Sequence, residues 1–273
     1  VMRFAYATVD DLRRVTDITD EEAANSNFGT NTTDEFFDVL FRLTSFRTDA
    51  DLSEILVTRS LDTMAWLREK GARFILNHGR QSGMVNGKRV YFGNMPIEAN
   101  GGGAGLVQYL DAAAKKNGID ILYGTRVSSL IFDGERVSGV RAQQQGKPVE
   151  LRAKSVVLAC GGFEANPEMR ARYLGPGWEL CKVRGSRFNQ GDGLKMALDI
   201  GAAPYGNWSG CHATGWDRNA PEFGDVSVGD QFQKHSYIFG LLINAEGKRF
   251  VDEGWDFHSF TYAKYGGAVL QQP

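Results

Sequence analysis

The sequence predicts a mixed α/β fold, and three stretches carry that expectation. Residues 1 to about 100 alternate helical periodicity with irregular polar segments. From "EANGGGAGLVQYLDAAAKKNGIDILYG" onward, a glycine-rich loop opens a helix and three short strands follow. They feed the β-branched run "SVVLACGG", which reads as a buried strand ending on paired glycines. At 273 residues the chain suits one large domain or two small ones, each able to bury a core.

The first clear helix is "TDEFFDVLFRLTSF", begun by Thr33 or Asp34. The second is "DLSEILVTRSLDTMAWLREKG". There Asp51 and Glu54 give a capping-box-like start, Leu52, Ile55, Leu56, Met64 and Leu67 an apolar stripe, and Gly71 a stop. "GMVNGKRVYFGNMP" reads as a hairpin or irregular loop around Asn86-Gly87. Leu106, Val107, Leu110 and Ala113 mark the helix after the glycines, closed by Gly118, and Ile119–Tyr123 read as a strand. "RVSSLIFD", "RVSGVRAQ" and "KPVELRAK" form a meander with turns at Asp133-Gly134 and Gln145-Gly146. Asn166 caps a short helix with Pro167 in first position, and "GDGLKMALDIGA" is another helix. "YIFGLLINAEGKRFVDE" reads as two strands joined at Glu246-Gly247.

Composition excludes several classes. With 42% hydrophobic and 23% charged residues, the chain is neither disordered nor collagen-like. A net charge of −2 without a long basic run argues against nucleic acid and anionic membranes. No apolar run approaches the roughly 20 residues of a membrane-spanning helix. The three cysteines, Cys160, Cys181 and Cys211, form no CxxC or Cys/His cluster. Reduced thiols in a cytoplasmic compartment are expected rather than a zinc site, and no metal ligand set is expected at all.

Candidate chemistry is concentrated after residue 100. "NGGGAG" lacks the spacing of a dinucleotide fingerprint and no convincing strand precedes it. It is either a helix N-terminus facing an anion or a flexible linker. Gly161-Gly162 either lets the main chain approach a ligand at a sheet edge or makes a tight turn. Asp192, between two glycines before a helix, either caps free N–H groups or accepts a ligand hydroxyl. His212 sits in "WSGCHATGW" and His235 in "QFQKHSY", and both could donate to a carboxylate. His78 lies in a polar loop and reads as solvated, and His258 sits in "WDFHSFTYAKY" with no role assigned to it. Nucleophilic hydrolysis has no support, since G-x-S-x-G, a P-loop and HExxH are all absent.

Taken in order, "GTRVSSLIFDGERVSGV", "AKSVVLACGGFEANPEM", "GDGLKMALDIGA", the His in "CHATGW", "INAEGKRFVDE" and "AVLQQ" form a set over residues 100–273. That set resembles the flavoprotein family of fumarate reductase, succinate dehydrogenase and 3-ketosteroid dehydrogenase. "RYLGPGWEL", "QKHSY" and "FTYAKYG" are most similar to its tricarballylate dehydrogenase-like members. The resemblance implies a partial FAD-binding domain of glutathione-reductase type with an inserted α+β capping domain. Residues 1–100 would lie beside the FAD domain, 101–193 would be part of it, and 194–273 would belong to the cap. The family's N-terminal dinucleotide unit and closing segment would then lie outside this chain, which would be the middle of a longer protein.

The resemblance also implies roles. Val127 falls where relatives touch the adenine side of FAD through backbone. Ala159, Gly161 and Gly162 fall beside the cofactor, and Asp192 matches an aspartate that bonds it. His212 matches a histidine that holds a substrate carboxylate; His235 has no such match and is expected as a second anchor because the loop between the two could bring them together. Two departures stand out. Phe232-Gln233-Lys234-His235 replaces the Thr-Glu neighbourhood of fumarate reductases, and "TYAK" replaces "TRDK", putting Tyr262 where a proton-donating arginine belongs. A phenol with a pKa near 10 exchanges protons when a polar neighbour tunes it.

The implied activity is FAD-dependent dehydrogenation or reduction of a CH–CH bond in a small carboxylate, with an electron-transfer partner. Alternatives are a ketosteroid dehydrogenase-like enzyme and a catalytically silent piece without bound flavin.

Overall fold

The computed structural model describes residues 2–79, 81–229 and 231–273. It divides into two compact units, Val1–Ile121 and Leu122–Pro273.

The first unit opens with two short helices, α1 (Val9–Arg13) and α2 (Asp20–Ala24). Thr8 and Thr19 cap them, and each capping box is completed by Asp11 or Glu22. After β1 (Ser26–Asn27) comes α3 (Thr33–Leu43), whose box is Thr32 with Glu35, one residue earlier than expected. The long helix α4 (Ala50–Glu69) is capped by Asp49, which accepts from the Leu52 N–H at 2.7 Å; Asp51 lies inside it. Its buried face is Ser53, Val57, Ser60 and Met64, whereas Leu52, Ile55 and Leu56 are more than half exposed. The expected stripe was drawn on apolar residues alone. Two serines face inward because they have backbone partners: Ser60 Oγ accepts from Ala5 N at 2.8 Å and donates to the Val57 carbonyl.

β2 (Phe74–Leu76), β3 (Ser82–Val85), β4 (Lys88–Tyr91) and β5 (Ile97–Ala99) complete two small sheets, and α5 (Gly102–Lys116) follows. One sheet has the order β1-β4-β3, with β1 parallel to β4; β2 and β5 pair antiparallel. Asn86 and Gly87 both take positive φ between β3 and β4, as the tight hairpin requires. β5 is the strand not foreseen ahead of the glycines, and it ties them down rather than leaving a flexible linker. Because β5 pairs antiparallel with β2, it is no dinucleotide βαβ unit. Phe4, Leu12, Val15, Phe74 and Ile97 form the centre of the core, and Phe28 stacks on Tyr91 at 5.1 Å.

The second unit begins with the predicted meander: β6 (Thr125–Phe132), β7 (Val137–Gln144) and β8 (Lys147–Arg152), in that order. The β6–β7 register shifts at Ser128. Helices α6 (Pro167–Leu174) and α7 (Asp192–Asp199) follow, with Asn166 Oδ1 accepting from Met169 N at 3.1 Å as the N-cap of α6. α7 packs on β6.

Three strand expectations fail in the structure. Residues 155–162 form no strand, and Val157 is 87% exposed. A buried strand needs a ladder beside it, and among the described residues none lies there. Ile119–Tyr123 is likewise irregular and exposed. The "YIFGLLINAEGKRFVDE" hairpin is reduced to one bridge, Ile243 with Arg249, closed by Asn244 N to Lys248 O at 2.9 Å. The last element, α8 (His258–Leu270), is a helix that the sequence reading did not contain.

Candidate active site

The glycine-rich loop at 100–105 lies in the first unit, whereas every residue expected to bind cofactor or substrate or to move a proton lies in the second. The anchor is the contact between the 212–214 segment and α8. Ala213 N donates to Ala263 O at 2.8 Å, and Gly266 N donates to Ala213 O at 3.1 Å. Those bonds need a bare Cα, since a Cβ on Gly266 would sit 2.5 Å from the Ala213 carbonyl carbon. The approach brings the His212 ring edge-on to Tyr262, with centroids 5.1 Å apart. His235 reaches the same phenol ring at 5.3 Å. The structure therefore gathers His212, His235 and Tyr262 into one cluster.

The cluster contains further rings. His258 lies parallel to Tyr262 at 5.3 Å and shares a 2.9 Å hydrogen bond, Nε2 to Nδ1 of His235. Tyr237 stacks on His258 at 5.5 Å, and its hydroxyl is hydrogen-bonded to Thr261. Tyr265 donates to the Asp252 carbonyl. Burial lowers the pKa of His258 and raises that of Tyr237. Partial desolvation, then the nearby Arg184 charge, lowers that of His212, which favours the neutral ring.

A cavity of about 640 Å³ lies beside this cluster. His212 lines it, together with Phe163, Trp178, Trp216, Arg184 and Cys211; Tyr262 and His235 do not. Its wall is organised by Arg170, which is buried and donates to the carbonyls of Trp178 (2.8 Å), Glu179 (2.9 Å), Cys181 (3.1 Å) and Glu164. One guanidinium thus ties four carbonyls together, of which that of Trp178 also accepts from the Cys181 N–H. Burial pushes the Cys211 thiol up to about 11, so at neutral pH it is protonated and a poor nucleophile.

A second group of expected residues gathers around the start of α7. Gly162 O accepts from Gly191 N at 3.0 Å, and Ala165 N donates to Asn189 O at 2.9 Å. These bonds lay 162–165 along the loop that leads to Asp192. Gly161 has φ +73°, a conformation that glycine adopts without strain. Arg126, next to Val127 on β6, pairs with Asp192 at 3.4 Å. Val127, Gly161, Gly162 and Asp192 thus share one neighbourhood. Ala159 lies in the exposed segment that leads into it.

The sequence profile of the FAD binding domain matches residues 20–272. The chain belongs to the FAD binding domain family. FAD is the cofactor of that family, and this chain has residues that fit it. The Asp192 carboxylate is 37% exposed beside Arg126, so it has room to accept further hydrogen bonds. Among the described residues, no hydrogen bond reaches the backbone of 155–161, so its donors and acceptors are open to a polar ligand.

Relatives include the fumarate reductase (cytochrome) of Shewanella frigidimarina, 30% identical over 82% of this chain and 36% of that protein. The 3-oxosteroid 1-dehydrogenase of Mycobacterium tuberculosis is 27% identical over 63% of this chain and 31% of that protein. Among solved structures, the 3-ketosteroid-Δ4-(5α)-dehydrogenase of Rhodococcus jostii RHA1 shares the fold. Its TM-score is 0.62 at 20% identity, covering 94% of this chain and 54% of that one. The chain thus spans about a third of the length of these curated relatives. Among its described residues, no group of three His, Cys, Asp or Glu side chains could hold a metal, and no helix is long and apolar enough to cross a membrane.

His258, Arg170 and Arg184 were missed as site residues. For His258 a signal was present, since a histidine four positions before Tyr262 shares its face if the segment is helical. The pair Gly266-Gly267 hid that helix. For Arg170 nothing in its own helix marks a buried guanidinium, because its four partners lie 6 to 11 residues away, outside α6.

Proposed function

We propose that this chain is part of an FAD-dependent oxidoreductase acting on the CH–CH bond of a small carboxylate, of the fumarate or tricarballylate kind. The observation that carries the reading is the convergence of His212 and His235 on the ring of Tyr262, at 5.1 and 5.3 Å, beside a cavity that His212 lines. When bound, FAD supplies hydride exchange with one carbon of the substrate. Tyr262 exchanges the proton on the adjacent carbon, and His212 and His235 donate to the substrate carboxylate. Val127, Ala159, Gly161, Gly162 and Asp192 contribute to holding the cofactor. The relatives' names, a cytochrome-type fumarate reductase and an NADH:acrylate oxidoreductase of Vibrio harveyi, support an electron-transfer partner whose identity varies within the family.

The test is Tyr262→Phe in the full-length, FAD-loaded protein. Fumarate is offered with reduced viologen, and tricarballylate with an artificial electron acceptor. Turnover falls by about 10²–10⁴-fold while flavin absorbance is kept. Unchanged turnover removes Tyr262 from the mechanism. The aromatic lining of the cavity by Phe163, Trp178 and Trp216 favours a second reading, oxidation of a steroid-like ketone. Turnover of 4-androstene-3,17-dione but of neither acid selects it.

A further inference from the structure

We propose that Lys182 and Arg218 form an anion-binding subsite on the wall of the cavity beside the ring cluster. The subsite selects acids that carry a carboxylate on a carbon outside the reacting CH–CH bond. The proposal rests on the reading above, in which that cavity admits a small acid beside His212.

The charges of the lining are unbalanced. Among the described residues the cavity wall carries Arg170, Lys182, Arg184 and Arg218 against Glu164 and Asp217. Arg170 is spent on four backbone carbonyls, and Asp217 is paired with Lys234 at 2.6 Å. Among the described residues, no carboxylate lies within ion-pair distance of Lys182 or Arg218.

The backbone fixes where these two cations sit. Lys182 Nζ donates to the Arg218 carbonyl at 2.6 Å and to the Ala220 carbonyl. Two of the three ammonium N–H groups are thereby used and one is left. Next along the chain, Val183 N donates to Glu222 O and Gly224 N to Gly185 O, both at 2.9 Å, so 182–185 is clasped to 220–224. From the other side, Asp217 N donates to Phe232 O at 3.1 Å and Lys234 N to Gly215 O at 2.9 Å. The turn that carries Arg218 is thus held by two neighbouring segments. Its guanidinium makes no hydrogen bond or ion pair among the described residues.

A polycarboxylate needs such cations. Phe163, Trp178 and Trp216 give the cavity an aromatic wall, against which an unpaired carboxylate is costly. His212 does not supply the charge, since burial and Arg184 favour its neutral ring, which offers a hydrogen bond only. Lys182 and Arg218 line the cavity, whereas Tyr262, which moves the proton, does not. A carboxylate held by the two cations therefore belongs to the part of the acid that extends away from the reacting bond. Tricarballylate has such a group, and fumarate has none.

Isothermal titration calorimetry of the full-length, FAD-loaded protein with tricarballylate and with fumarate tests the subsite without turnover. Arg218→Gln removes the charge but keeps the carbonyl to which Lys182 donates, and Arg218→Lys keeps the charge. In Arg218→Gln the Kd for tricarballylate rises about tenfold or more, the scale of one lost hydrogen bond between charged groups, and rises by more than the Kd for fumarate. In Arg218→Lys it stays within about threefold of the wild type. Melting temperature is measured alongside and shifts no more than for a surface substitution. An unchanged Kd for tricarballylate in Arg218→Gln overturns the subsite, and so does an equal rise for both acids. An equal loss in the two variants, or a wild type that binds no tricarballylate, overturns it as well. If binding changes as expected but the wild type turns over neither acid, the subsite stands and the proposed function has failed.

Discussion

The two units differ in what their apolar residues do. In the first, Leu12, Val15, Val57 and Ile97 are fully buried, and short strands close around them. In the second, Leu130, Ile131, Val183 and Met196 are buried, but Val157, Val226, Phe239 and Phe188 are more than 80% exposed, and hydrogen bonds from a few polar side chains join its irregular segments. Arg170, Glu253 and the Tyr237–Thr261 pair are its fixed points. An apolar core tolerates exchange of one shape for another, whereas a polar tie depends on particular atoms. The unit built on ties is the one that holds the ring cluster and the cavity. That fits a site whose donors must stay in place while the space beside them stays open.

Substitutions in each region test this contrast. Leu12→Ala leaves a cavity in the first unit and costs about 2–5 kcal/mol by chemical denaturation. Arg170→Met, in the second, removes the donor shared by four carbonyls. It costs about 3 kcal/mol and loosens the cavity wall, read as faster amide exchange over residues 178–181. A cost no larger than that of a surface substitution would refute the idea that ties dominate there.

Gly266→Ala forces a Cβ against Ala213 and costs about 1–3 kcal/mol, with His212 displaced from Tyr262 in a structure of the variant. Glu253 tests the contrast through pH. Arg249 and the Leu242 N–H hold its carboxyl down to about 2, from an ordinary value near 4.5. A depressed carboxylate pKa stabilises the folded state above the unfolded value, and the contribution is lost as pH falls from about 4.5 towards 2. Glu253→Gln therefore lowers the melting temperature at pH 7 and flattens its acid decline. The smallest effect is at Val157, where Val157→Ser shifts stability by no more than about 0.5 kcal/mol.

The sequence made the meander, both positive-φ hairpins and helices α3 to α7 legible, because turn residues and capping side chains act over a few positions. Asn166 before Pro167 is one such case, and Asn86-Gly87 another. It misplaced the buried face of α4, since Ser60 faces inward on a bond from the distant Ala5 N–H and Ser53 on one to the Asp49 carbonyl. It also read 155–162 as a strand from β-branched residues alone, although a strand exists only where a neighbour completes its ladder.

By itself, then, the sequence determined the family, the cofactor class and the residue types at the site, because ordered motifs and local propensities are carried by neighbouring residues. Only the tertiary structure decided that His212, His235 and Tyr262 meet, that His258 joins them, and that Gly266 makes the meeting possible. Those facts depend on contacts between distant segments, His212 with Tyr262 and Ala213 with Gly266, and a close backbone approach leaves no mark in the sequence beyond a glycine.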